Sequence, residues 1–372
     1  MIIMIILVLP VFIYTYLLIS YRISWIPFQN NIQCENPGIT VDVIIPFRNE
    51  QINIIPLVQS LKDQDYDAEL SRFILVDDHS EDNSFQQLSD LICNDKRFLV
   101  IQLNNEGMGK KNALIAGIKN SNAKVVLFSD ADCIHPKEWI TSMINCYVKS
   151  NAYMVLGPVV FTGKKNFISR FSDFEFSALM GVTASAINKK RPLMCNGANL
   201  LIQYDILAEF NDYFNTKYVS GDDMFLLLKM KKYYPDFIKF NNSKDAIVTT
   251  IAPYLIRDFI LQRLRWVSKN KGINDLSVIF NSSTVFLTNS MLLISAFLFL
   301  IKPVFLYIFI ALFLIKTITD LIFIYPVLND FNKKTLLKYI VIFEGFNLFF
   351  VPVITISGIF SNIKWKDRFY QK

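Results

Sequence analysis

Acidic side chains follow two apolar runs in the first half of the chain, close to the point where each run ends. Asp77 and Asp78 follow the first run, and Asp130 and Asp132 follow the second, residues 125–128. An Asp-x-Asp pair presents carboxylate oxygens, which hard cations such as Mg²⁺ or Mn²⁺ prefer, and a cation held there can neutralise a diphosphate leaving group. The pattern therefore predicts a divalent metal site. Either acidic turn alone could instead be a helix cap or a turn former.

A third acidic pair, Asp222 and Asp223, follows Ser220-Gly221 and precedes the helical run 224–230. Such a pair can cap a helix, and this role is compatible with catalysis. Between the first two clusters, a glycine-rich turn ends at Lys110, where backbone N–H groups and lysines suit phosphate. It fails the P-loop pattern because Lys111 stands where Ser or Thr is required, so a plain turn is the alternative.

Further along the chain, residues 254–268 have the spacing of an amphipathic helix, which predicts a helix lying at a membrane surface. Gln262, Arg265 and Trp266 are three and four residues apart and share a face of this helix. Taken alone, Arg and Trp in such a helix are typical of an interfacial anchor. In the context of the acidic motifs, they become candidates for chemistry.

These residues must be positioned by an α/β domain. Short β-branched and apolar runs at residues 41–46, 73–76, 99–103 and 125–128 are typical of buried strands. Helical spacing separates them, which predicts a mostly parallel sheet flanked by helices. Ligands bind such sheets outside the carboxyl ends of the strands, where the first two acidic clusters fall.

The two ends of the chain are apolar. Hydrophobic residues make up 52% of the 372 residues, which is high for a soluble domain. Residues 1–20 carry no charge and are long enough to span a bilayer, and Arg22 after them places the following domain in the cytoplasm. A cleaved signal peptide is the alternative, but its basic start and small-residue cleavage site are missing. Three more runs, 283–301, 304–325 and 339–360, approach spanning length.

Basic residues flank the last run on both sides, at 333–338 and in the tail 362–372. Both cannot be cytoplasmic if the last run crosses once. The sequence leaves open whether one late run is re-entrant or interfacial, and Lys302-Pro303 marks the favoured pair for such an arrangement. The net charge of +6 clusters near the membrane ends, which favours anionic lipid headgroups over nucleic acid as partners.

The five cysteines show no metal-ligand spacing and fit reduced thiols in the cytoplasm. The predicted organisation has five parts: a transmembrane helix at 1–21, a cytoplasmic catalytic domain at 30–253, an interfacial helix at 254–275, membrane segments at 283–361 and a basic tail at 362–372.

Five motifs resemble, in order and spacing, those of inverting glycosyltransferase family 2, which has the GT-A fold. They are Val43-Ile44-Ile45-Pro46-Phe47-Arg48-Asn49-Glu50, Asp77-Asp78, Asp130-Ala131-Asp132, Gly221-Asp222-Asp223 and Gln262-Arg263-Leu264-Arg265-Trp266. The last resembles the membrane-bound branch that contains polysaccharide synthases and ceramide glucosyltransferase. The resemblance covers roughly residues 40–270.

The resemblance implies a role for each matched residue. Asp77 and Asp78 would hold the uracil base of a UDP donor, Asp130 the ribose or donor sugar, and Asp132 the metal together with Asp130. Asp223 would be the general base toward the acceptor hydroxyl, with Asp222 beside it in place of the more usual Glu. Arg265 would stabilise the departing diphosphate, and Gln262 and Trp266 would shape the acceptor mouth.

The resemblance thus implies a metal-dependent hexosyltransferase of the inner membrane that passes a sugar to a lipid or surface-glycan acceptor. A processive synthase that exports its polymer is the main alternative, although four apolar segments are few for a polysaccharide pore. A receptor that binds nucleotide sugars without turnover is a further alternative, but it has no use for Asp223 as a base.

Overall fold

The computed structural model describes residues 2–29, 38–103, 107–210, 222–269 and 272–360, together with the backbone of 364–365 and 368–369. Ser220, Gly221, Cys34 and most of the predicted basic tail lie outside the described residues. The chain divides into two compact units. The sheet unit comprises Phe28–Gly163 and Ile187–Ile251, and the helical unit comprises Met1–Pro27, Lys164–Ala186 and Ala252–Lys372.

The sheet unit is built on two sheets. The larger one has the strand order β3-β2-β1-β4-β8-β6-β9, and a smaller one has the order β5-β10-β7. The strands are β1 Val41–Phe47, β2 Ser71–Asp77, β3 Phe98–Gln102, β4 Val125–Phe128, β5 Cys133–Ile134, β6 Met154–Leu156, β7 Val159–Thr162, β8 Leu200–Gln203, β9 Ile238–Phe240 and β10 Val248–Ile251. Strands β3, β2, β1 and β4 are parallel, whereas β8 is antiparallel to both of its neighbours.

Helices connect these strands, as the sequence predicts. They are α2 Ile54–Lys62, α3 Ser84–Ile92, α4 Lys110–Lys119, α5 Trp139–Lys149, α7 Tyr204–Glu209 and α8 Asp222–Tyr233. Strands β1 and β4 are buried along their whole length, which explains their mainly apolar sequences; the exception is Asp42 of β1, which pairs with Arg72. Helix α4 packs closely on β1 at Gly117, where an added Cβ would lie 2.5 Å from Ile44 Cγ2. The predicted α/β fold with a mostly parallel sheet is confirmed.

The helical unit contains α1 Ile2–Ser24, α6 Phe167–Asn188 except its last two residues, α9 Ile256–Lys269, α10 Leu276–Leu298, α11 Val304–Asp330 and α12 Ile340–Phe360. Four stretches are long and apolar enough to cross a membrane, by length and composition: Ile3–Ser24, Leu276–Leu298, Val304–Asp330 and Lys334–Phe360. They correspond to the four predicted membrane segments. The backbone pieces β11 Lys364–Trp365 and β12 Arg368–Phe369 form a two-stranded antiparallel pair.

Aliphatic side chains from the four long helices meet in one cluster formed by Val11, Leu292, Leu312 and Leu348. Helix α12 also packs closely on α9 at Gly358. An added Cβ at this glycine would lie only 2.5 Å from Val267 Cγ1. The runs on either side of Lys302 form two separate helices, α10 and α11. A single crossing by α12 and a re-entrant arrangement both stay predictions.

Polar side chains form a buried charge cluster inside the helical unit. The Lys316 ammonium of α11 pairs with Asp320 at 2.7 Å and with Glu344 of α12, and the Tyr14 hydroxyl of α1 donates to Asp320. All four side chains are buried. Ionisable groups at this depth of a predicted membrane segment persist when they are paired, as they are here. The cluster joins three helices that are distant in sequence.

We expect Lys316→Met to destabilise the helical unit by about 3–5 kcal/mol, since it leaves two buried carboxylates without their cation. The measurement is thermal unfolding of the detergent-solubilised chain, with Lys302→Met, an exposed lysine at the turn between α10 and α11, as the control. Combining Lys316→Met with Asp320→Leu and Glu344→Leu should restore much of the stability. An unchanged melting temperature for Lys316→Met alone would contradict a stabilising role for the pairs.

Candidate active site

The first acidic turn closes the carboxyl end of β2. Asp77 is the last residue of β2, and the Asp78 N–H donates to the carbonyl of Phe47, the last residue of β1, at 2.8 Å. Both aspartates are buried. The Asp77 carboxylate accepts a hydrogen bond from Ser80 N–H at 3.0 Å, so it also serves as the turn former considered from the sequence. The Asp78 carboxylate instead reaches across to another loop.

That loop is the glycine-rich turn before α4. Asp78 Oδ1 accepts a hydrogen bond from Gly109 N–H at 2.8 Å. Gly109 has φ +103°, a conformation that L-residues with a side chain rarely adopt. The next residue, Lys110, begins α4, and its ammonium forms an ion pair with Asp130. The geometry thus ties Asp78, Lys110 and Asp130 into one connected group.

The second acidic turn lies between β4 and β5 and carries Asp130 and Asp132. Asp132 Oδ2 accepts a hydrogen bond from Thr250 Oγ1 of β10 at 3.1 Å. Desolvation in its surroundings raises the pKa of Asp132 above the ordinary value, and the negative charges of Asp130 and Glu50 raise it further. Several carboxylates therefore lie within electrostatic reach of each other, an arrangement that a cation would relieve.

Asp130 and Asp132 are the carboxylates that this edge offers to a divalent metal. Within the described part of the chain, no group of three or more His, Cys, Asp or Glu side chains is arranged to hold a metal. Mg²⁺ and similar ions, however, are commonly bound by one or two carboxylates together with substrate phosphates and water. Asp130 and Asp132 fit such a site, with the remaining ligands coming from a bound diphosphate.

The third acidic pair begins helix α8, which starts at Asp222. Asp223 Oδ2 accepts a hydrogen bond from Gly197 N–H at 3.2 Å, and Oδ1 accepts one from Met224 N–H at 2.9 Å. Acidic groups in a first helical turn are stabilised by the helix dipole, so these residues do act at the helix start.

Sheet topology brings the acidic groups to one edge. Strands β2 and β4 flank β1 in parallel, so the turns at Asp78 and Asp130 leave the sheet at the same end. Strand β8 runs antiparallel to β4, with Leu200 paired to Phe128. The segment that precedes β8 therefore lies at this same edge, and its Gly197 contacts Asp223. The structure thus brings together the predicted residues of the sheet unit.

Helix α9 carries the last predicted motif and belongs to the helical unit. The residue with the most contacts in this motif is Arg263, to which the sequence pattern assigns no separate role. Arg263 is buried, donates to Glu175 Oε2 of α6 at 2.8 Å and to Gln262, and stacks on the Trp266 ring at 4.1 Å. Gln262 and Trp266 are therefore held in one cluster by Arg263. Arg265 is half-buried on the same helix.

Two further residues of the sheet unit lie near the candidate site but are not among the residues predicted from the sequence. His135 and Ser129 are buried and hydrogen-bonded behind the acidic edge. The sequence does contain a feature that points to His135: it is one of only two histidines, and it follows Asp132 by three residues. A lone histidine, however, does not reveal its partners, which come from other elements.

Comparison with known proteins relates part of the chain to a family of enzymes. Residues 42–210 match the model for "Glycosyl transferase family 2". Over these residues, somewhat less than half of its length, the chain is similar to that family. The matched segment includes Asp77, Asp78, Lys110, Asp130 and Asp132, and it ends before Asp223.

Curated relatives agree with this class. The chain is 24% identical over 237 residues to an N-acetylglucosaminyltransferase from Bradyrhizobium diazoefficiens, which covers 61% of this chain and 48% of the relative. It is 25% identical over 276 residues to an N-acetylglucosaminyltransferase from Rhizobium meliloti, which covers 68% of this chain and 63% of that relative. The chain thus spans about half to two thirds of the length of these relatives.

A solved structure supports the GT-A-type fold. The mannosyltransferase PcManGT from Pyrobaculum calidifontis, in complex with GDP-Man and Mn²⁺, superposes with a TM-score of 0.60 at 14% identity. The superposition covers 90% of this chain and 96% of that one. At this identity the likeness establishes the fold.

Proposed function

We propose that the protein is a metal-dependent, inverting glycosyltransferase that moves a sugar from a nucleotide donor to a membrane-associated lipid or surface-glycan acceptor. One observation carries the proposal. A single edge of the sheet gathers the buried Asp78, the Asp130–Asp132 turn and Asp223, which are the groups that donor binding, charge neutralisation and acceptor activation require.

The donor is proposed to be a UDP-sugar. Asp77 and Asp78 hold the uracil base, Asp130 holds the ribose or the donor sugar, and Lys110 meets phosphate once the donor displaces it from Asp130. The relatives named N-acetylglucosaminyltransferases make UDP-GlcNAc the first donor to test. A donor bound along this edge would also cover Asp132.

A divalent cation would be held by Asp132 and Asp130, with Mg²⁺ or Mn²⁺ as the ion. When bound, it supplies positive charge that neutralises the diphosphate as the bond to the sugar weakens. The mannosyltransferase of similar fold was solved with Mn²⁺, which supports this choice. Thr250 orients Asp132 through its hydroxyl hydrogen bond, so β10 would help to hold the carboxylate in place.

Asp223 is proposed as the general base. Its carboxylate takes the proton of the acceptor hydroxyl while the acceptor oxygen forms a bond to the anomeric carbon. The bond from that carbon to the diphosphate oxygen breaks on the opposite face, so the configuration inverts. The N–H groups of Gly197 and Met224 fix the orientation of the base. Asp222 begins the same helix, and we assign it a supporting role beside the base Asp223.

The residues of α9 are proposed to serve the leaving group and the acceptor. Arg265 would stabilise charge on the departing diphosphate, and Gln262 and Trp266 would shape the acceptor mouth. The packing of Arg263 on Trp266 gives that ring a fixed orientation. Ile256 and Ile260 of α9 are exposed, which suits contact with membrane lipid. We place the protein in the inner membrane with its catalytic domain in the cytoplasm.

Donor turnover tests this function. The purified full chain in detergent would be incubated with Mn²⁺, labelled UDP-GlcNAc, UDP-glucose or GDP-mannose, and a membrane extract. We expect release of UDP and one labelled product, whose mass distinguishes a single transfer from a polymer. Binding of UDP-sugars without turnover of any of them would favour the receptor alternative.

A further inference from the structure

A buried chain of hydrogen bonds runs behind the acidic edge of the sheet unit. Ser129 Oγ lies 2.7 Å from His135 Nε2, and Ser60 Oγ of α2 lies 3.2 Å from His135 Nδ1. Ser129 Oγ also donates to the carbonyl of Ala198 at 3.0 Å. Ser129, His135 and Ser60 are all buried, with Ser129 1% exposed. None of these residues takes part in the chemistry proposed above.

The partners determine how the histidine is protonated. Burial lowers the pKa of His135 to about 3, so the ring is neutral at physiological pH and has one N–H and one acceptor nitrogen. Because the Ser129 hydroxyl donates to Ala198, its oxygen accepts from Nε2–H. Nδ1 then faces the Ser60 hydroxyl as an acceptor at 3.2 Å, and this hydroxyl also donates to the Leu57 carbonyl at 2.8 Å. The ring also packs against Trp139, with centroids 4.0 Å apart and the two planes tilted by 34°, which restricts its orientation.

The two ends of the Ser129 bond lead to two parts of the proposed site. Ser129 immediately precedes Asp130, the first residue of the acidic turn. Ala198 immediately follows Gly197, whose N–H donates to Asp223. One side-chain hydrogen bond therefore joins the turn that would hold the metal to the segment that orients the base. The His135 ring holds the Ser129 hydroxyl in the direction this bond needs.

We propose that Ser129 and His135 are positioning residues that set the distance between the Asp130–Asp132 turn and the Asp223 carboxylate. This inference rests on the proposed function, because it assumes that Asp223 acts on an acceptor bound opposite the donor. Misplacing a catalytic group by about 1 Å can lower a rate by roughly 10²-fold. Loss of the Ser129 hydroxyl should therefore affect the rate of transfer far more than the binding of the donor.

The experiment uses Ser129→Ala in the full chain. We expect kcat for sugar transfer to fall by about 10- to 100-fold while KM for the donor changes little. His135→Gln, which keeps one donor and one acceptor, should retain more activity than His135→Ala. The control is Ser142→Ala, which removes another buried hydroxyl of the sheet unit, hydrogen-bonded to Asn241, and should lower the melting temperature similarly without lowering kcat.

A double-mutant cycle separates positioning from a structural role. If Ser129 acts through Asp223, Ser129→Ala should cause little further loss in an Asp223→Asn background. Independent, multiplying losses would overturn the proposal, as would an unchanged kcat for Ser129→Ala. If Ser129→Ala does not fold, the same cycle with His135→Gln decides the question. Wild-type transfer by Asp223→Asn alone would instead remove the base assignment from the proposed function.

Discussion

Asp132→Ala is expected to lower sugar transfer by roughly 10²- to 10³-fold. If the bound cation contributes about 3–4 kcal/mol to neutralising the diphosphate, its loss corresponds to that factor. The reason is structural as well as chemical. Asp132 lies beside Asp130 and within electrostatic reach of Glu50, so it is placed where a divalent ion would be attracted. Steady-state turnover of UDP-GlcNAc at several Mn²⁺ concentrations is the measurement.

Chelation of the wild-type enzyme should reproduce the effect, and added Mn²⁺ should restore the wild type but not the variant. The control is Asp236→Ala, an exposed carboxylate of the sheet unit that pairs with Lys190 on the surface. It should turn over donor like the wild type. If Asp132→Ala kept full activity in excess chelator, the metal assignment would be wrong.

The strands and their acidic ends could be predicted from sequence because the signals are local. Parallel strands buried on both faces are mainly apolar in sequence, and β1 and β4 have this pattern apart from Asp42. The predicted bounds of β4 are the observed ones, and those of β1, β2 and β3 differ from the observed ones by at most two residues. Asp-rich turns after such strands can only lie at the carboxyl edge, so the grouping of Asp78 and Asp130 followed from topology alone.

Helix α6 could not be predicted as part of the helical unit. It lies between strands in the sequence, and the predicted organisation places residues 164–186 in the domain 30–253, whereas their contacts group them with the four long apolar helices. The decisive feature is a close approach at Gly181, where an added Cβ would lie 2.8 Å from Val327 Cγ2 of α11. A contact across more than a hundred residues leaves no periodic signal in the sequence.

The predicted start of the second apolar segment is later than the start of α10, for a different reason. A run of apolar residues begins at 283, but the helix starts at Leu276, after Asp275. The Asp275 carboxylate accepts hydrogen bonds from Ser277 N–H and Val278 N–H, both at 3.0 Å, which is an N-cap. Polar residues in the first turns of α10, among them Asn281, lower the mean hydropathy there, so the apolar run in the sequence begins later than the helix.

Which residue of α9 is buried and paired also depends on tertiary contacts. The sequence motif predicts roles for Gln262, Arg265 and Trp266. In the structure, Arg263 is the residue that lies over the rings of Phe259 and Trp266 and pairs with Glu175. Helical spacing gives the faces of a helix but not which face meets another helix. The partner, Glu175, comes from α6, whose position the sequence did not predict.

Asp223→Asn is expected to lower transfer by roughly 10²- to 10⁴-fold, the usual contribution of a positioned general base, while donor binding persists. Asparagine offers one acceptor oxygen in place of two, so one of the N–H groups of Gly197 and Met224 loses its partner. Stability should fall by about 1–3 kcal/mol in consequence, which must be measured beside the rate. UDP affinity and single-turnover transfer are the two readouts.

The matched control for this substitution is Asp205→Asn, which also replaces an acidic residue in the first turn of a helix, α7. Asp205 pairs with Lys124, which precedes β4 and so lies at the opposite end of that strand from Asp130. Because this ion pair is exposed, its loss should cost little stability and leave the rate unchanged. Asp223→Glu should retain part of the activity, because it keeps a carboxylate on a longer arm. If Asp223→Asn instead lost UDP affinity and kept its maximal rate, Asp223 would belong to the donor site, and the proton of the acceptor would have to leave by another group of the same edge.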